Sequence, residues 1–506
     1  MEEQSQAPMR APKSVMYGDQ LPLGIEAKSQ KRLFFPTTGD TYTPTGNSIC
    51  RIDINYDGLM DTAQSYLEFN LTNKSGKKAS FDLGHPLIRK LTISSGGVVL
   101  EEIHDYNVLV GGILFPAQAG VQNLHYEGMN NNGLDQRSGF TAITADGTAG
   151  VRSANALLAT DGGLATRILL GAVGGAAVFT GDGSDESGII TATKASASTG
   201  IRDAIADCVA AGVNAGAGGI TGDVKTYANP NVFGGSTLSA RTGCFNNDQQ
   251  VKQHYKLVSG LLDNDKYLPL VLMNAGITLE IEFAPALDCM VTQTATGGDY
   301  EVSEIRYVAH LIDLERSFYD RLRMVQQNSG GVLQMAGQSY RGFRGQQTNN
   351  TTQSINCPAR VRSIKSFFFK YGRAGNDATY NLSGGGHNSL TDYQLSIGAT
   401  RYPPTANKVH NTTNKSGGYT ELQKAFGKIG SNLHPDQLNS ANYLSGNGAA
   451  ATMNQGDIVP FAPFGIDLES FRHEIENGVD TSSRALPITL HTTSTAVPEG
   501  GCLDCF

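Results

Sequence analysis

Two long blocks of short strands, each alternating apolar and polar residues, flank one short amphipathic helix at residues 314–327. A strand of period two buries a single face and needs a second sheet to cover it. In 506 residues the two blocks are each long enough for a sandwich-sized domain. The first block shows the pattern at Cys50, Ile52, Ile54 and Tyr56, which alternate with Arg51, Asp53 and Asn55, and again at Leu67, Phe69 and Leu71. PLIRKLTI (86–93) and VVL (98–100) bracket Ser-Ser-Gly-Gly, a hairpin-like turn. Strands resume at ITLEIEF (277–283) and at Ile305, Tyr307, Ala309 and Leu311. In the divider, Leu314, Phe318, Leu322 and Val325 share one helical face, with Arg316 and Asp320 four apart on the other. The second block has strands at VRSIKSFFFKY (361–371), 393–399 and 486–490, a helical segment near 419–426, and an Asn/Gly-rich loop to 456.

The balance of residues agrees with an all-β chain. Only 17% are charged while 60 are Gly, as expected where turns are many and exposed amphipathic helices few. Residues 1–27, punctuated by Pro8, Pro12 and Pro22 and without periodicity, read as an extended arm. From about 115 to 241 Gly, Ala, Ser, Thr and Asp dominate, too long a run for an ordinary loop, so it reads as an insertion with one helix near 201–211. Net charge is −8 and no long basic run occurs, which does not favour a nucleic-acid surface. No stretch is apolar enough to span a bilayer as a helix, and the polar N-terminus lacks a signal-peptide core. The expectation is a soluble protein made inside the cell.

Chemical signals are sparse. DINYDGLMD (53–61) offers oxygens at Asp53, Asn55, Asp57 and Asp61 and a Gly58 at the turn, the opening of a calcium loop. Its twelfth position is Gln64 where a bidentate Glu is needed, and the preceding residues alternate as a strand, so a strand-connecting turn is the preferred reading. GDGSDESG (181–188) reads as a polar loop. The seven cysteines (50, 208, 244, 289, 357, 502 and 505) are odd in number and scattered, which is no disulfide framework. Cys502 and Cys505 form a lone C-x-x-C read as a frayed tail, 496–506, because no second ligand pair accompanies it. Sequons at Asn70, Asn73, Asn349, Asn350, Asn381, Asn411 and Asn414 are read as chance in a chain without a signal peptide. Glu101 and Glu102 are adjacent carboxylates that sequence cannot set face to face. No nucleophile elbow, phosphate loop, dinucleotide fingerprint or zinc-protease spacing occurs. The expectation is therefore no enzyme, with no catalytic, cofactor-binding or metal residues assigned and no cofactor.

Four segments in succession carry a family likeness: RLFFPTTGDTYTPTGNSICRIDI; PLIRKLTISSGGVVLEEIHDYNVL; YQLSIGATRYP followed by YTELQKAF; and FGIDLESF with GVDTS before the last strand. In this order the chain resembles the double jelly-roll major capsid proteins of double-stranded DNA viruses, especially those of large eukaryotic viruses and their polinton-like and virophage relatives. The likeness covers roughly 28–495; the Ala/Gly-rich insertion and the CLDC tail depart from it. It implies two tandem eight-stranded jelly rolls, at 28–313 and 328–495, joined by the helix 314–327. It implies a homotrimer of nearly hexagonal outline that tiles an icosahedral shell with neighbouring capsomers. The loops about 115–241 and 427–456 would face outward and the arm inward. Partners would be further copies, penton and minor capsid proteins and an internal membrane, without sequence-specific nucleic-acid binding. The location would be the virion, after synthesis and assembly in the host cell. Two other classes compete: a carbohydrate-binding or carbohydrate-processing β-sandwich, and a phage or surface spike. The absence of Trp weighs against the first, and the lack of a short internal period against the second.

Overall fold

The computed structural model describes residues 27–118 and 244–506, with breaks, the longest at 373–385 and 445–461, and two short strands at 177–179 and 192–194. Most of the insertion and of the 427–456 loop, the arm, the 201–211 helix and the 181–188 motif lie outside the described residues. The main strands are β1 (Ala27–Phe34), β2 (Ile49–Ile54), β3 (Leu59–Asn73), β4 (Ile88–Ser95), β5 (Val98–Ile103), β6 (Gln250–Tyr255), β7 (Ile277–Phe283) and β8 (Tyr300–Leu314). After helix α1 (Arg316–Asn328) come β9 (Phe343–Gln346), β10 (Thr352–Cys357), β11 (Ser366–Tyr371), β12 (Leu390–Ile397) and β13 (Thr400–Lys408). Helix α2 (Lys415–Ala425), β14 (Phe464–Asp467), β15 (Ile488–Ser494) and β16 (Cys502–Cys505) complete the series.

The strand order decides the architecture. The first eight form two sheets, β1-β8-β3-β6 and β2-β7-β4-β5; the second eight form β9-β16-β11-β14 and β10-β15-β12-β13. The second pair of sheets repeats the first with every strand advanced by eight. In each, consecutive strands step from one sheet to the other and back, save for the central hairpin (β4–β5 and β12–β13), whose two strands pair in one sheet. This is the double Greek key of a jelly roll. The fold is a double jelly roll.

Why these segments become strands is visible residue by residue. In β2, Cys50, Ile52 and Ile54 are buried while Ile49, Arg51 and Asp53 are exposed; β7 buries Ile277, Leu279, Ile281 and Phe283 in the same rhythm. β4 and β5 meet at a two-residue turn, with Ser95 opposite Val98 and Gly96 and Gly97 at φ +56° and +82°. Positive φ at both positions is what the favoured hairpin turn requires and what glycine supplies. The two cores are aromatic at their centres. Phe69 and Tyr255 meet edge to face at 5.0 Å in the first roll, while Phe369 stacks on Phe464 at 4.9 Å and meets Tyr393 at 5.2 Å in the second.

Register fixes which connections share an end. Ala27 lies opposite Leu314, Leu59 opposite Ile312, Ile54 opposite Ile277 and Ser94 opposite Thr278. The β2–β3, β4–β5 and β6–β7 connections therefore sit at one end of the first roll, beside the start of β1 and the end of β8. The other end takes the β1–β2, β3–β4, β5–β6 and β7–β8 connections, and β5–β6 carries the long insertion. The second roll repeats this, with α2 and its following loop in the β13–β14 connection.

Two expectations are corrected. The divider helix begins at Arg316, because β8 continues through Leu314, which pairs with Ala27. No residue of α1 is buried, so its apolar stripe does not dock into either core. The CLDC segment is not a frayed tail. It is β16, a buried strand between β9 and β11, in register Phe343↔Cys505 and Phe369↔Cys505. Leu503 and Cys505 are fully buried, and Asp504 is accommodated by an ion pair with Arg344, so the second roll extends to the end of the described chain.

Candidate functional site

The DINYDGLMD segment is the β2–β3 connection. Asp53 is exposed on β2 and accepts the Thr278 hydroxyl at 2.8 Å, whereas Asp61 is buried on β3 and accepts the Ala63 amide at 3.0 Å. The oxygens point to different places because the strand reverses between them. Gly58 is needed for contact: a Cβ there would lie 2.6 Å from the Tyr56 ring and 2.9 Å from Asp313 Oδ1. Among the described residues, no group of three or more His, Cys, Asp or Glu side chains gathers as a metal site would require. Of the sequon residues, Asn70 and Asn73 are buried, and Asn414 caps α2 by accepting the Gly417 amide at 3.1 Å.

Glu101 and Glu102 fall on opposite faces of β5, as strand geometry dictates. Glu102 stays at the surface, where a hydrogen bond from Lys90 at 2.5 Å holds its carboxyl below the usual range. Glu101 is buried and accepts four hydrogen bonds: the Gly260 amide at 2.9 Å, the Leu261 amide at 3.3 Å, the Ser339 hydroxyl at 2.6 Å and the Ser259 hydroxyl. It therefore ties the β6–β7 connection to the segment that follows α1. That segment runs close along β5. A Cβ on Gly260 would lie 2.8 Å from the Gln338 carbonyl, and one on Gly342 would strike the His104 carbonyl. A few residues on, Arg344 at the start of β9 pairs with Asp504 at 2.6 Å and with Asp105 of the first roll at 3.1 Å. Burial works against its charge, but the two carboxylates outweigh this and push the guanidinium pKa further up. The junction between the rolls is thus built from Glu101, Ser339, Arg344, Asp105 and Asp504.

A second charged cluster crosses the first sheet. Glu68 on β3 is nearly enclosed, yet Arg306 on β8, Lys252 on β6 at 2.9 Å and His254 at 3.5 Å converge on it. Burial raises its pKa, but hydrogen bonds from Lys252 and Arg306 prevail and hold it at about 2. Because the folded value lies below the ordinary 4.5, the carboxylate contributes stability above pH 4.5 that is lost as pH falls toward 2, about 3 kcal/mol in all. Glu68→Gln is expected to lower stability by about 2–3 kcal/mol at pH 7. It should also flatten that part of the acid slope in urea unfolding followed from pH 7 to 3.

A His–Ser arrangement occurs on the outer face of β15. His491 Nδ1 lies 3.0 Å from Ser354 Oγ and Nε2 lies 3.0 Å from Ser396 Oγ. Burial, then Arg401 beside it, lowers the imidazole pKa, and both ring nitrogens are engaged by hydroxyls. Neither serine faces a base with a carboxylate behind it, so this is cross-strand pairing rather than a nucleophile and its base.

No family model and no curated protein matches this chain. Solved structures do. The chain is similar to the Faustovirus major capsid protein, at 9% identity over 97% of this chain and 91% of that one, with a TM-score of 0.49. It is similar also to the capsid protein of PBCV-1, at 9% identity over 97% and 94% with a TM-score of 0.47. A third likeness is to a chain of Sulfolobus Turreted Icosahedral Virus, at 10% identity over 95% and 89% with a TM-score of 0.39. The twice-repeated strand order, and not these likenesses, fixes the fold.

Proposed function

We propose that this chain is the major capsid protein of an icosahedral double-stranded DNA virus, acting by self-association and performing no reaction. The supporting observation is one strand order used twice in a single chain. Two equivalent rolls in one subunit give a threefold assembly six similar lobes, and such an outline tiles a facet with few kinds of contact. The longest connection of each roll, β5–β6 and β13–β14, lies at the same end and suits an outer surface, because loops there can vary without disturbing the sheets. The opposite end of the first roll, with its two-residue β4–β5 turn and the start of β1, suits the shell's inner side, where residues 1–27 would make contact with neighbours. The glutamate and arginine ties at the junction would hold the two rolls in the fixed mutual orientation that a tile needs. The virion is the location that follows, with neighbouring capsomers, penton and minor capsid proteins and an internal membrane as partners.

Light scattering on a sizing column tests this. Three subunits of 53.7 kDa should elute as one compact species of about 161 kDa. Electron microscopy of the concentrated trimer should then show hexagonal arrays. A monomer that binds glycans on an array would overturn the reading in favour of a carbohydrate-binding protein. An elongated rod would favour a spike.

A further inference from the structure

We propose that His85 is an acid-operated release for the helical turn Val108–Leu114, at the base of the first roll's long β5–β6 connection. His85 lies in the β3–β4 connection, only 6% exposed, at φ +59°. Its ring stacks on Tyr255 of β6, centroids 4.4 Å apart, and lies nearly parallel to Tyr106 at 5.9 Å. Nδ1 is 3.1 Å from the Tyr106 hydroxyl, which accepts the Val258 amide at 2.7 Å and so has its own proton to give to a neutral imidazole.

The same few residues dock the helical turn. Gly84, at φ +71°, packs against the backbone of Gly111 so closely that a Cβ would lie 2.6 Å from the Gly111 Cα. Asn107 accepts the Val108 amide at 3.0 Å and donates to the Pro86 carbonyl at 3.3 Å. All of Val108–Leu114 is buried. Among the described residues, the titratable groups that face the imidazole are the phenols of Tyr106 and Tyr255. The carboxylate of Asp105, beside Tyr106, is engaged by Arg344. Burial alone holds the imidazole well below its ordinary 6.5, at about 3.

Among the described residues no carboxylate faces this aromatic slot to compensate an imidazolium, so proton uptake favours a form in which the ring has swung out and the Gly84–Gly111 contact has parted. In that open form His85 regains its ordinary pKa. Opening should therefore rise about tenfold for each pH unit below 6.5, on the order of 100-fold by pH 4.5. Hydrogen exchange on the full-length protein, followed by mass spectrometry at pH 7.0 and 4.5 and corrected for intrinsic rates, reads this directly. Protection over 108–114 should fall on the order of 100-fold while β7 keeps its own. In His85→Asn, whose side chain tolerates positive φ and does not titrate, protection over 108–114 should not change with pH. Unchanged protection in the wild type, or an Asn variant that follows the wild type, overturns the proposal. Should that variant fail to fold, the wild-type protein decides by carbon-13 NMR of labelled histidine: a His85 signal titrating near 6.5 in the closed protein overturns the proposal, and one that stays neutral to about pH 4 upholds it.

Discussion

A chain that stops at Gly501 will fail to form its second jelly roll, although it loses only five residues. Those residues are β16 and Phe506, and β16 is an inner strand of its sheet, bonded to β9 on one side and β11 on the other. Phe506 adds reciprocal backbone bonds to Phe368, both 2.8 Å, and the Cys502 carbonyl accepts the Gly372 amide at 2.9 Å. Without the strand, β9 is detached from its sheet and the paired edge of β11 is bared in the interior, where each unmet backbone group costs about 1–3 kcal/mol. Burial of Leu503, Cys505 and Phe506 is lost as well, at about 1.5–3 kcal/mol for each large side chain. Together these approach the whole stability of a typical domain, about 5–15 kcal/mol. Hydrogen exchange of the truncated protein should show β7 and β8 protected and β10–β15 unprotected. Unchanged protection in the second roll would mean that the final strand is the frayed tail its sequence suggests.

That strand shows where sequence stops being informative. β2, β7 and β15 were legible because period-two burial writes itself into six or seven consecutive residues. The Gly96–Gly97 turn was legible because only glycine accepts positive φ at both positions without strain. β16 has four residues and an aspartate third, a pattern that looks polar until Arg344, 160 positions earlier, is seen to neutralise it. The same distance hides the junction. Glu101 is one of two adjacent acids in the sequence, and its partners lie at 259–261 and 339. Glu68 could be placed on a strand but not among Lys252, His254 and Arg306, which neighbouring strands bring to it. His85 carried no signal, since its role depends on two tyrosines and a backbone conformation that no local spacing encodes. α1 was legible as an amphipathic helix, but periodicity says nothing about whether a cover is supplied within the same subunit.

Arg344→Met should be the most damaging single substitution at the junction, and its effect should reach both rolls. The methionine keeps the length and apolar stem of the arginine, so packing changes little. What is lost is the charge that serves Asp504, which is 1% exposed, and Asp105 at the same time. A buried carboxylate that loses its ion-pair partner costs up to about 3–5 kcal/mol, and the positive charge of Lys370, opposite Asp504 on β11, offsets only part of that. Burial already pushes the Asp504 pKa up against Arg344, so without the guanidinium the carboxyl will take up a proton more readily. The loss should therefore be larger at pH 8 than at pH 5, the same direction as for Glu68, whose contribution fades only below pH 4.5. Differential scanning calorimetry should show a fall in Tm on the order of 10 °C at pH 8 and a smaller one at pH 5. The double variant Arg344→Met with Asp504→Asn separates two explanations. If the arginine matters because it neutralises Asp504, the double variant should recover most of the stability. If it matters because it links the rolls through Asp105, stability should stay low and the two rolls should unfold in separate transitions. An equal loss at both pH values with no recovery in the double variant would leave packing as the cause and remove the ionic tie as what fixes the two rolls together.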